Sequence, residues 1–160
     1  MARAQSQTST RRSVRESKAA RYGPVPSPLA VTDTHALIWH CSGQSRRLGR
    51  AARSHFTRTD AFQAVIYVPT LVLVEISEQH HLGRVRLASS FEQWLRALVD
   101  SRRYIVVDLN TEIVRASHNL FDIPERGDRL IAATAQTLDV PLMTRDAEIA
   151  RCARVDRLWD

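Results

Sequence analysis

Short apolar runs alternate with amphipathic stretches along most of the chain. Leu29-Ala30-Val31-Thr32, Ala64 to Val68, Tyr104 to Val107 and Val140 to Met143 are runs of strand length. Between them apolar residues recur at helical spacing. This predicts helices over 34–39, 46–59, 70–81, 89–99, 111–120, 128–138 and 146–153. Thr111 is the expected N-cap of its helix, and Gly83 stops the helix before it. Val155 to Trp159 is a candidate last edge strand. Apolar strands that alternate with helices predict an α/β fold, a parallel sheet covered on both faces. No internal repeat breaks the pattern.

Residues 1–28 stand outside it. They are rich in Ser, Thr, Gln, Arg and Ala, and they end in Gly23-Pro24-Val25-Pro26-Ser27-Pro28. With no repeating apolar face, they are expected to form a disordered tail ahead of one domain over 29–160. A chain of this length hides roughly 68–70% of its unfolded surface, enough for a core without staples. No run of 18 apolar residues occurs, and no apolar stretch follows the charged start. A membrane span and a secretory signal are therefore not expected, which suits a cytoplasmic protein. Cys41 and Cys152 have no metal-ligand spacing and are expected to be reduced, buried thiols.

The net charge of +6 is unevenly spread. The tail holds six basic side chains against Glu16, whereas the remaining residues hold 17 basic and 16 acidic. A basic total invites a nucleic-acid partner, but the folded part is almost neutral and the total alone cannot carry that reading.

Four acids carry the candidate chemistry. Asp33 follows the first strand and Asp146 the fourth; Asp128 opens the helix before the fourth strand; Glu75 lies within Leu71-Val72-Leu73-Val74-Glu75-Ile76. Ligand sites of open parallel sheets form outside the carboxyl ends of the strands, so these acids can meet. Each aspartate can equally well cap the helix it precedes, and Glu75 can occupy a solvent-accessible rim. If the four converge, unit charges ~4 Å apart repel by ~4 kcal/mol at an effective dielectric near 20. Oxygen ligands in such a cluster favour Mg²⁺ or Mn²⁺, ions that serve phosphodiester hydrolysis.

Val31-Thr32-Asp33-Thr34-His35-Ala36-Leu37-Ile38-Trp39 resembles the opening of the PIN domain, particularly in VapC-type toxin ribonucleases. Val74-Glu75-Ile76 resembles the family's acidic second motif, Gly127-Asp128-Arg129-Leu130-Ile131-Ala132-Ala133-Thr134-Ala135 its third and Pro141-Leu142-Met143-Thr144-Arg145-Asp146 its fourth. The resemblance covers residues 29–160 in order. It implies a three-layer α/β/α sandwich around a mostly parallel sheet, and a Mg²⁺- or Mn²⁺-dependent endoribonuclease. It implies Asp33, Glu75, Asp128 and Asp146 as catalytic, metal-site acids and Thr144 as a helper that orients an acid or a water. It further implies the toxin of a type II toxin–antitoxin pair: a homodimer with RNA as substrate and a cognate antitoxin as partner. A non-catalytic RNA- or partner-binding protein of the same fold is the alternative. The chain departs from the family in placing Glu125-Arg126 between Pro124 and Gly127-Asp128, and in its long tail, which is either inert or an arm for RNA phosphates.

Other features stay open at this stage. Arg129 and Arg145 flank two of the acids and either grip phosphates or pair with acids. Arg46, Arg50 and Arg53 share one helix face, either solvated or part of an RNA path. His35 is expected on a helix surface or in the core, and His80-His81 on the surface. Trp39, Trp94 and Trp159 are expected in the core or at a dimer contact. A phosphoryl-transfer enzyme or phospho-acceptor of another α/β fold is disfavoured: the position two residues after Asp33 is His35, and the only lysine is Lys18, in the tail.

Overall fold

The computed structural model describes residues 28–160. The expected tail lies outside the described residues, apart from Pro28. Four strands form one all-parallel sheet: β1 (Leu29–Thr32), β2 (Val65–Pro69), β3 (Tyr104–Val107) and β4 (Leu142–Met143), in the order β3-β2-β1-β4. Among the described residues seven α-helices flank it: α1 (Thr34–Cys41), α2 (Arg50–Asp60), α3 (Thr70–His81), α4 (Phe91–Asp100), α5 (Thr111–Ser117), α6 (Arg126–Leu138) and α7 (Ala147–Arg151). This is the expected three-layer α/β/α sandwich. None of the described helices is long and apolar enough to cross a membrane.

The central strands are buried because every side chain meets a helix or another strand. All five residues of β2 are buried, and Val31, Ile66, Leu142 and Met143 lie within the core. Helix α6 covers β1 and packs on α5 and α3. The chain steps outward from β1 to β2 to β3, then returns to the other side of β1 with β4. That reversal opens a crevice at the carboxyl ends of β1 and β4. The register fixes its depth: Thr32 pairs with Met143, and the Asp33 amide donates to the Met143 carbonyl at 3.1 Å.

Several boundaries differ from expectation, and local hydrogen bonds explain them. Asn110, not Thr111, caps α5, with its Oδ1 accepting from the Glu112 and Ile113 amides at 3.0 Å each. The helix expected over 46–59 is split: Ser45–Arg47 is a 3₁₀ turn, and α2 begins at Arg50. The edge strand is reduced to a bridge between Leu142 and Arg157. Cys152 is buried as expected, but Cys41 is exposed; both are free.

Helix α2 has no side-chain cap. The Trp159 carbonyl takes that place, accepting from the Ala51 amide at 3.1 Å and the Ala52 amide at 3.4 Å. A Cβ on Gly49 would stand 2.1 Å from that oxygen, so only glycine lets the C-terminal segment close over the helix. Gly49→Ala is expected to destabilise by roughly 1–3 kcal/mol, as overpacking does, or about 2–4 °C in Tm for each kcal/mol. Thermal unfolding measures this. An unchanged Tm would mean that the Trp159 contact adds nothing to stability.

Candidate active site

The crevice gathers all four predicted acids. Asp33, Glu75, Asp128 and Asp146 line one cavity of about 380 Å³. Each arrives from a different element. Asp33 ends β1 and is the N-cap of α1, with Oδ1 accepting from the Ala36 amide at 2.7 Å. Asp146 follows β4 and caps α7, with Oδ1 accepting from the Ile149 amide at 2.9 Å. Capping and a place in the cavity thus coexist in both residues. Asp128 does not cap. Glu125 caps α6, its Oε2 accepting from the Asp128 amide at 2.7 Å, so Asp128 lies inside the first turn. Glu75 projects from α3 and accepts a hydrogen bond from the Thr34 hydroxyl.

Thr144 holds the two ends of the crevice together. It is fully buried, hydrogen-bonds the Asp33 carboxylate and accepts from the Asp146 amide at 3.0 Å. Deleting its hydroxyl would loosen the Asp33 carboxylate and the Asp146 backbone together, leaving each aspartate held by its helix cap alone.

The electrostatics are those of crowded carboxylates. Burial pushes the Asp33 carboxyl up; hydrogen bonds from Thr144 and the Ala36 amide oppose this, and nearby Asp146 adds to it. Burial also raises Glu75, against the Thr34 hydrogen bond and with Glu125 and Asp33 nearby. Asp128 is pushed up to about 6, first by burial and then by Asp146, Glu125, Glu75 and Asp33. Among the described residues, none of the ion pairs includes any of the four acids.

The remaining candidates divide. Arg145 and His35 line the cavity. Arg129 does not; its guanidinium donates to the Ile123 carbonyl at 2.9 Å and lies 4.4 Å from the Phe121 ring centroid, pinning the loop before Asp128. Of the basic segment, Arg47 reaches the cavity, 4.5 Å from the Trp39 ring centroid. The Arg46, Arg50 and Arg53 face does not line it. His80 bonds the Val85 carbonyl at 3.2 Å. Trp39 and Trp159 are core residues in edge contact. Glu125 and Thr34 were not singled out as site residues, and Arg47 was expected only as a member of the basic helix formed with Arg46, Arg50, Arg53 and Arg58. For Glu125 a signal existed: it stands three residues before Asp128, the spacing from a cap to the amide it binds.

The PIN domain family model matches residues 30–155. The chain belongs to the PIN domain family. PIN domains are nucleases, which places the acid-lined crevice in a hydrolase framework. Two solved structures share the fold. VapBC2 from Rickettsia felis, bound to a DNA fragment from its promoter, aligns with a TM-score of 0.60 at 15% identity, covering 83% of this chain and all of that one. A toxin–antitoxin complex from Klebsiella pneumoniae aligns with a TM-score of 0.56 at 22% identity, covering 79% and 94%. No curated protein matches the chain in sequence.

The donor set of this PIN domain suits a hard divalent cation. Its crevice offers carboxylate oxygens in excess of positive charge. Helix capping engages Oδ1 of Asp33 and of Asp146, and a carboxylate has about four acceptor sites, so capping leaves room for a cation. Among the described residues, no three His, Cys, Asp or Glu side chains form a ready-made cage. The acids instead share a cavity and feel one another's charge.

Proposed function

We propose that this PIN domain is an endoribonuclease dependent on Mg²⁺ or Mn²⁺ and that Asp33, Glu75, Asp128 and Asp146 are its working acids. The observation that carries this reading is the convergence of those four carboxylates in one cavity at the sheet's carboxyl edge. A bound cation supplies positive charge that acidifies a water and offsets the charge gathering on the phosphoryl oxygens.

The chain's own residues do the rest. Asp33, Asp128 and Asp146 would hold the cation, and Thr144 keeps Asp33 in place. Glu75, oriented by the Thr34 hydroxyl, positions the attacking water and accepts its proton; its raised pKa suits that role. The water oxygen bonds to phosphorus in line as the bond from phosphorus to the 3′ oxygen breaks. The leaving oxygen takes a proton from solvent. The products carry 5′-phosphate and 3′-hydroxyl ends.

Both solved structures named above are toxin–antitoxin assemblies. We extend that setting to this chain as a type II toxin, a cytoplasmic homodimer restrained by a cognate antitoxin. The test is incubation of the purified full chain with a total RNA pool in Mg²⁺, in Mn²⁺ or in EDTA. An Asp33→Ala preparation run beside it controls for co-purified nucleases. Metal-dependent cutting with 5′-phosphate ends supports the reading. A folded, antitoxin-free chain that never cuts RNA overturns it and leaves a binding protein of the same fold.

A further inference from the structure

A second cavity, of about 580 Å³, adjoins the acidic one. The two share His35, Trp39 and Arg47, so they form one trough. Their chemistry is opposite. The first is walled by four acids; the second has Arg47, Arg84 and Arg86 in its wall and no Asp or Glu.

The three arginines are held there by the fold. Gly83, at φ +69°, ends α3 with its amide donating to the His80 carbonyl at 3.0 Å, and the Arg84 amide returns to the Gln79 carbonyl at 2.9 Å. This is a helix stop with the glycine in the left-handed region. Val85 then turns inward and is buried; its amide donates to the Gln79 carbonyl at 3.3 Å, and its carbonyl meets His80 Nδ1 at 3.2 Å. With Val85 clamped, Arg84 and Arg86 on either side of it are exposed and reach the cavity. Arg47 comes from the 3₁₀ turn, seated on Trp39 and donating to Gln44 Oε1 at 3.1 Å.

Some exposed arginines elsewhere meet acids, such as Arg96 with Glu92, Arg151 with Glu148 and Arg154 with Asp122. Among the described residues, Arg47, Arg84 and Arg86 are in none of the ion pairs. Three guanidinium groups around one cavity repel unless an anion lies between them, and their planar donors match phosphate oxygens. The acid-lined crevice has the converse difficulty, since it repels any polyanion that approaches it. A basic cavity with a common wall offsets that repulsion at the adjoining phosphates.

We propose that Arg47, Arg84 and Arg86 form a phosphate-binding subsite that seats the RNA backbone beside the bond to be cut. The inference rests on the nuclease reading above and names the residues of this chain that hold the substrate's phosphates.

The test is binding of a labelled, mixed-sequence single-stranded RNA 12-mer by the full chain carrying Asp128→Asn, in Mg²⁺, over a salt series. Adding Arg84→Ala with Arg86→Ala is expected to raise Kd by about tenfold or more, the scale of one lost charge-assisted contact. The slope of log K against log salt should shrink by about 1.4, at ~0.7 for each single-strand phosphate contact. A control pair, Arg58→Ala with Arg115→Ala, removes the same charge away from both cavities and should leave Kd and slope unchanged. Equal losses in the two pairs would mean a diffuse charge effect and overturn the subsite. So would an unchanged Kd and slope in the Arg84 and Arg86 pair. Loss of binding to a polyglutamate peptide with RNA binding intact would assign the cavity to an acidic protein partner instead, against the proposal. RNA cutting by the parent chain is scored separately, so the nuclease reading and the subsite fail independently.

Discussion

Asp128→Asn is expected to reduce RNA cleavage by more than about 10²-fold and, without divalent cation at neutral pH, to make the protein more stable. The activity loss follows from the proposed role of Asp128 as a cation ligand: losing groups that merely support ligands already costs 10–100-fold. The stability gain follows from charge. The Asp128 carboxyl is pushed up to about 6 by burial and by four neighbouring carboxylates. Between the ordinary value of 3.8 and about 6, the folded protein holds a proton that the unfolded chain has released. The folded state then binds more protons, so stability falls as pH rises through this window and stays lowered above it. Asparagine carries no charge and escapes the penalty. In EDTA, the Tm of the variant minus that of the parent should be near zero at pH 4 and positive at pH 7.5. Adding Mg²⁺ or Mn²⁺ should raise the parent by mass action and the variant less. Thermal unfolding at two pH values, with and without cation, gives all four numbers. A variant less stable than the parent at pH 7.5 in EDTA would mean that Asp128 is not crowded by like charge.

The same acids show how far sequence reasoning reaches. Strands β1, β2 and β3 were legible because burial on both faces forces continuous apolar runs, as in the fully buried Val65–Pro69. Asp33 and Asp146 were legible because they stand at the ends of such runs. Glu75 was legible because a carboxylate inside an apolar helix needs a reason. Hydrophobic patterning does not record which polar group wins a given amide. Glu125 takes the Asp128 amide and moves the start of α6 to Arg126. Asn110 likewise displaces Thr111. Contacts across long sequence separations leave still less trace. The bond from Thr34 to Glu75 spans 41 positions, and Arg47 reaches the acidic cavity because a 3₁₀ turn, not the expected helix, carries it. The Glu125-Arg126 insertion, a departure from the family pattern, supplies the α6 cap and adds a fourth carboxylate near Asp128.

Gly127→Ala is expected to lower cleavage by up to about 10²-fold while leaving the fold nearly as stable as before. Gly127 is buried at the start of α6, between two of the acids. A Cβ there would stand 2.5 Å from Glu75 Oε1 and 2.8 Å from Glu125 Oε2. Both atoms are the far ends of flexible side chains, so they can move aside without shifting the backbone, although Glu125 then gives up part of its cap on α6. Alanine is also the better helix former, by about 0.8–1.0 kcal/mol in a helix interior, which offsets part of the crowding. The consequence falls on position. Glu75 must leave the place where the Thr34 hydroxyl holds it, and a misplacement of about 1 Å in a reacting group can cost 10²-fold. If Glu75 positions the water, kcat should fall with KM little changed, since the arginines of the proposed phosphate subsite are untouched. Steady-state cleavage of a short RNA, paired with thermal unfolding, separates the two effects. A Gly127→Ala protein that cuts like the parent would remove Glu75 from the reaction; one that loses several kcal/mol would place the role of Gly127 in packing rather than in orienting the acid.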